Sequence, residues 1–108
     1  MNHTVLYYQT ADNKVIVEEW LNSLRDVRVQ ASILRRIDRM KLGNFGAHRT
    51  CRSGVSELKI DFGPGYRIYY SEIEKTIVLL LCSGDKSTQE PDIKRAIAYL
   101  KDFKERTK

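Results

Sequence analysis

VSELKIDFGPGYRIYYSEIEKTIVLLLCSGDKSTQ, residues 55–89, holds two alternating segments about a Gly63-Pro64-Gly65 turn, then an unbroken apolar run and a polar exit. Alternation of period two is the mark of a half-buried strand, and Gly-Pro-Gly between two such runs reverses the chain. Ser56, Leu58, Ile60 and Phe62 are expected on one face, with Glu57, Lys59 and Asp61 on the other. After the turn, Tyr66, Ile68 and Tyr70 oppose Arg67, Tyr69 and Ser71. Thr76 to Cys82 (TIVLLLC) shows no polar alternation, so it is expected as a central strand covered on both faces. Charged groups of the neighbouring segments gather near its ends, where a site can form.

Working outward, Thr4 to Gln9 (TVLYYQ) is rich in β-branched and aromatic residues and predicts a first strand. Asp12 or Asn13 is the expected cap of a first helix, whose Val17, Trp20, Leu21 and Leu24 recur at core-facing spacing. A second helix is expected from about Asp26 to Leu42, ended by Gly43. Its Val29, Ile33, Ile37 and Met40 fall on one side, and Arg28, Ser32, Arg35 and Arg39 on an adjacent one. Asn44 to Gly54 reads as an irregular loop or short strand carrying His48, Arg49 and Arg52, with His48 a candidate proton shuttle. Ser87 or Thr88 is the expected cap of a last helix with Pro91 in its first turn. Ile93, Ala96, Ile97, Leu100 and Phe103 form its stripe, and Lys104 to Lys108 a frayed basic tail.

With 108 residues the chain is expected to form one domain, 1–108, with a single modest core. No apolar run approaches the roughly 20 residues that span a bilayer, and the start lacks a secretory pattern, so a cytoplasmic location is expected. Cys51 and Cys82 show no metal-ligand spacing and are expected as two reduced thiols. The net charge of +5 is uneven: residues 25–52 carry eight Lys and Arg against two Asp and Glu. Such a basic segment points to an anionic partner, either nucleic acid or an acidic protein, unless it is a solvated face.

Four segments in order, WLNSL, ILRRIDRMKLGNFG, GVSELKIDFGPGYRIYY and LLLCSGDKSTQEPDIKRA, resemble the RelE/ParE toxin superfamily, in particular its HigB-like addiction-module branch related to phage-derived toxins. The resemblance implies a small α+β domain: an N-terminal strand, a helical hairpin, a twisted antiparallel sheet and a C-terminal helix. It implies a type II toxin neutralised by a cognate antitoxin, a small helix-turn-helix DNA-binding protein. Many such toxins cut mRNA on the ribosome without metal or small-molecule cofactor. In that chemistry the RNA 2′-hydroxyl attacks the adjacent phosphorus, leaving a cyclic phosphate and a 5′-hydroxyl. Such a site needs cations aimed at the transition state and groups that move protons.

By resemblance, Arg67 in GYRIYY matches the family's sheet arginine, Lys59 in SELKI a basic residue of the preceding strand, and Lys86 in SGDKSTQ the residue that protonates the leaving oxygen. Arg35, Arg39, Arg49, Arg52 and Gln89 are the expected RNA contacts. Glu57 is an alternative base, or else a cross-strand partner for a cation. The row Arg28, Arg35 and Arg39 can meet ribosomal RNA or an acidic antitoxin. No residue matches the last-helix tyrosine of some RelE-type enzymes or the histidine cluster of other branches. The alternatives are a ParE-like toxin that binds and inhibits DNA gyrase, and a degenerate toxin that binds RNA or antitoxin only.

Overall fold

The alternation about Gly63-Pro64-Gly65 folds as a hairpin, β3 (Val55–Ile60) antiparallel to β4 (Tyr66–Ile73), with Glu57 opposite Tyr69 and Lys59 opposite Arg67. Gly63 (φ 56°) and Gly65 (φ 78°) supply the left-handed backbone that the reversal needs. The computed structural model describes residues 2–108. Ahead of the hairpin come β1 (Thr4–Tyr7), α1 (Ile16–Ser23), α2 (Val27–Lys41) and β2 (His48–Arg52). After it come β5 (Ile77–Asp85), a 3-10 turn (Lys86–Thr88) and α3 (Gln89–Arg106). The strands make one sheet in the order β1-β5-β4-β3-β2, antiparallel except where β1 runs parallel to β5. The chain is thus the α+β domain that its pattern predicts.

Two apolar layers flank the sheet. On one face α1 and α2 set Val17, Leu21, Ile33, Ile37 and Met40 against Leu58, Ile60, Ile68 and Tyr70. On the other α3 sets Ile93, Ala96 and Leu100 against Val55, Tyr69, Leu79, Leu81 and Cys82. Each aliphatic side chain so buried contributes about 1.5–3 kcal/mol. Trp20 packs on the first layer while staying half-buried. Among the described residues no helix is long and apolar enough to cross a membrane.

A β-bulge in β5 decides which of its side chains meet α3. Tyr69 pairs with Cys82 but Tyr70 pairs with Leu80, which leaves Leu81 as the extra residue. The insertion flips the alternation, so Leu81 and Cys82 both face α3. Gly84, opposite Arg67, then lies directly under the start of α3.

Several local expectations are corrected. Asp12 and Asn13 do not cap α1: its cap position is Val15, without a side-chain bond, while Asn13 turns the preceding loop at φ 68°. The reading of Asn44–Gly54 as an irregular loop or short strand holds: a loop leads into β2, which turns into β3 through Ser53 and Gly54, both with positive φ. Neither Ser87 nor Thr88 caps α3 through its side chain; Asp85 instead accepts the Ser87 N–H at 2.8 Å and starts the 3-10 turn. The C-terminal tail stays helical to Arg106, whose guanidinium bonds Asp102 (2.7 Å) and the Gln9 carbonyl.

Three buried groups hold their protons unusually late. Burial, then the hydrogen bond to Asp102, pushes Tyr8 up to about 12; burial pushes Tyr70 up to about 12, and burial pushes the Cys82 thiol up to about 12. An unfolded chain releases the phenolic protons at about 10 and the thiol proton at about 8.5. The folded state therefore binds more protons across that interval, and stability falls as pH rises through it. Alkaline titration should show part of the tyrosinate absorbance appearing only together with loss of circular dichroism. Six tyrosines ionising at about 10 while the fold persists would contradict it.

Candidate functional site

The odd-numbered residues of β3 and β4 face α3, which begins at Gln89. There Glu57 is fully buried and acts as a hub. Its Oε1 accepts Arg49 Nε at 2.6 Å and also meets Arg49 Nη2. Its Oε2 lies 3.2 Å from Arg67 Nε and accepts Gln89 Nε2 at 3.1 Å. Three residues expected to meet substrate thus converge on one carboxylate. With both oxygens occupied, Glu57 is the cross-strand partner of cations, not a free base. The Arg67 Nε–H is close to Glu57 but not aligned for a hydrogen bond.

Arg67 differs from its expected exposure as a phosphate ligand. It is only 4% exposed, donates from Nη1 to the Tyr66 carbonyl at 3.0 Å, and has Asp61 at 3.6 Å. The reachable cations are Lys59, half-buried beside it on β3, and Lys86, exposed on the 3-10 turn. Neither lysine forms an ion pair among the described residues. Gly65 brings Lys86 and Arg67 together: a Cβ there would lie 3.3 Å from Lys86 Cβ and 3.6 Å from Arg67 Nη1. Tyr69, opposite Glu57, has a buried hydroxyl without a partner, and burial, then Glu57 and Asp92, push its pKa up.

Other candidates lie elsewhere. Arg52 pairs with Glu90, which holds Glu90 below the usual carboxylate range. His48 is exposed, with Nδ1 2.7 Å from the Gly46 carbonyl. Arg35 and Arg39 are on α2, in the opposite layer, where with Ser32, Arg36, Asp61 and Phe62 they line a cleft of about 280 Å³. Arg36, not singled out from the sequence, donates to the carbonyls of Lys59 (2.8 Å), Ala47 (3.1 Å) and Phe45 (3.2 Å). Its signal was present: it stands three residues after Ile33 and four before Met40, on the border of the core stripe.

These features define a class: a small α+β domain with a cationic cluster, organised by a buried glutamate, beside the start of its last helix. No family model matches the chain. It is 47% identical over 79 residues to a Haemophilus influenzae (strain ATCC 51907 / DSM 11121 / KW20 / Rd) protein described as "Uncharacterized protein", a match covering 73% of this chain and 80% of that one. The chain belongs to the family of that protein.

Proposed function

We propose that this protein is the toxin of a type II toxin–antitoxin pair, a HigB-like member of the RelE/ParE superfamily that cleaves mRNA on the ribosome. The observation that carries the reading is the convergence of Arg49, Arg67 and Gln89 on Glu57, with the unpaired Lys59 and Lys86 alongside. Phosphoryl chemistry of this kind rests on placing fixed positive charge about a phosphate that gains negative charge in the transition state. Lys59 and Lys86 are the groups that touch the phosphate. As the 2′-oxygen bonds to phosphorus and the P–O5′ bond breaks, solvent water takes up the 2′-hydroxyl proton and Lys86 hands a proton to the departing 5′-oxygen. Arg67, behind them, adds its permanent charge and holds the strand register through Glu57 and the Tyr66 carbonyl. A cognate antitoxin, reading as a helix-turn-helix protein, restrains the toxin in the cytoplasm. The exposed Arg35 and Arg39 on α2 form a second, separate surface for ribosomal RNA phosphates.

Mapping of 5′-hydroxyl ends in a purified translation system tests this, comparing wild type with the double variant Lys59→Ala/Lys86→Ala. Ribosome-dependent new ends with wild type, reduced at least about a hundredfold in the variant, are expected, since each lost charged contact removes a few kcal/mol of transition-state stabilisation. Arg35→Glu/Arg39→Glu should keep the fold, with stability changed by no more than about 0.5 kcal/mol, yet weaken ribosome association and its salt dependence. Growth arrest with no cleavage, accompanied by inhibition of gyrase supercoiling, would replace this reading with the ParE-like one.

A further inference from the structure

The C-terminal half of α3 and the turn from β2 to β3 enclose a slot of about 280 Å³ that shares no residue with the cationic cluster. Its floor is Ile97 and Leu100, the first half-buried and the second buried. Around them stand Lys101, Lys104 and Lys108, all exposed, with Glu105 and Ser53 completing the lining. The turn is set hard against the helix here: a Cβ on Gly54 would lie 3.3 Å from Leu100 Cδ2.

The charges of α3 are sorted by residue type. Of its four acids, Glu90, Asp92 and Asp102 are paired with Arg52, Arg95 and Arg106 respectively. The fourth, Glu105, forms no ion pair among the described residues, and neither do Lys101, Lys104 and Lys108. The slot thus holds three cations against one carboxylate, a surplus of two positive charges. A helix C-terminus favours cations in its last turn, which accounts for a lysine there but not for the apolar floor that the lysines surround. An apolar centre inside a polar rim is the anatomy of a protein-binding patch. Lysine stems extend that apolar surface while their ammonium groups stay in water. RNA is the other anionic candidate, but the phosphates of a strand call for cations alone and leave Ile97 and Leu100 unused. An acidic polypeptide uses both.

We propose that this slot docks an acidic segment of a partner protein, with an aliphatic side chain set on Ile97 and Leu100 and flanking carboxylates facing Lys101, Lys104 and Lys108. Identification of that partner as the antitoxin rests on the function proposed above; the docking surface itself does not. Complementary charge steers the encounter and is screened by salt, whereas the apolar contact is not. Binding therefore weakens as salt rises without disappearing. Cleavage through Lys59 and Lys86 uses none of these residues and persists when the slot is altered.

The test is a titration of the whole protein with the peptide acetyl-Glu-Asp-Leu-Leu-Glu-Asp-amide, following the methyl cross-peaks of Ile97 and Leu100 by NMR. The comparisons are the same peptide with serine in place of both leucines, and hexauridylate. Saturable methyl shifts are expected with the leucine peptide, binding at least about fivefold weaker with the serine peptide, and no methyl shift with hexauridylate. Lys101→Glu/Lys104→Glu and the milder Lys101→Gln/Lys104→Gln change exposed side chains that form no ion pair, so both variants should fold. The charge reversal should weaken the leucine peptide at least about tenfold, and the neutral pair less. Equal affinity for the serine peptide, hexauridylate shifting the methyls as much as the peptide does, unchanged affinity in both variants, or no saturable response at all would overturn the proposal. Because the titration involves no cleavage, peptide binding without ribosomal cleavage keeps this surface and removes the nuclease reading. Cleavage without peptide binding does the reverse.

Discussion

Glu57→Ala is expected to lower the free energy of unfolding by about 3–5 kcal/mol, the loss typical when one member of a buried ion pair is removed. The reason lies in what is left behind. Arg67 keeps only Asp61 at 3.6 Å as a counter-charge, and its side chain is 5% exposed, so water cannot replace the carboxylate. Gln89 also loses the acceptor that holds the first residue of α3 to the sheet. Arg49 is the internal control. It contacts the same carboxylate, yet its side chain is 52% exposed, and the solvated end of such a pair is worth under about 1 kcal/mol. Glu57→Gln should fall between, keeping an acceptor oxygen while turning an amide N–H towards a cation. For a domain of this length the alanine variant should melt more than about 10 °C below wild type, and Arg49→Ala only a few degrees below. Thermal and urea unfolding followed by circular dichroism decide the matter. Equal losses for Glu57→Ala and Arg49→Ala would show that Glu57 is not the hub.

Much of the architecture was legible because periodicity reports burial directly. VSELKI and YRIYYS alternate, and their even-numbered residues from Leu58 to Tyr70 do meet α1 and α2. The α2 stripe and its bounds also follow from the sequence, with Asp26 capping through Arg28 N–H. Features set by pairing were harder to see. The run TIVLLLC is apolar throughout, so nothing in it marks Leu81 as the bulged residue. HRTCR left loop and short strand both open, since as an edge strand with exposed charges it takes its register from β3. The cap at Asp85 was missed because Ser87 and Thr88 nearer the helix are equally good cap residues by type.

Most candidate site residues were identifiable as types, but not in their relations. Alternation places Glu57, Lys59 and Arg67 on one face, and that is where they lie. It also describes that face as the polar one, although Glu57 and Arg67 are buried there. The difference comes from Arg49 and Gln89, which reach over Glu57 from β2 and from α3. Arg49 stands directly opposite Glu57 across the β2–β3 pair, whereas Gln89 comes from 32 residues further along the chain. The sequence offers Glu57 as a cross-strand partner for a cation, but does not say that Arg49, Arg67 and Gln89 all converge on it. Arg35 and Arg39 show the converse: their helical row was read correctly, but α2 covers the other side of the sheet.

Gly84→Ala is expected to be the most disruptive single methyl addition in the chain. Gly84 is not among the residues with positive φ, so the requirement is for space and not for backbone freedom. A Cβ there would stand 1.9 Å from Asp92 Oδ2 and 2.9 Å from Thr88 Oγ1. Asp92 cannot swing aside freely. It is 7% exposed, its Oδ2 accepts Thr88 Oγ1 at 2.6 Å, its Oδ1 accepts Arg95 Nη2 at 2.9 Å, and its carbonyl accepts the Cys82 thiol at 3.4 Å. Overpacking together with loss of a charged hydrogen bond should remove about 3 kcal/mol or more. The clash is with one carboxylate, so adding Asp92→Ala should restore part of the loss, giving a double variant more stable than Gly84→Ala alone. A double variant whose losses simply add would show that the strain lies elsewhere. Since the β5 bulge is what turns Gly84 under α3, and Asp92 bonds the last residue of the 3-10 turn, this contact also fixes where Lys86 and Gln89 stand. Under the proposed nuclease function, Gly84→Ala protein held folded at low temperature should lose ribosome-dependent cleavage along with its stability, whereas Gly84→Ala/Asp92→Ala should recover stability before it recovers cleavage.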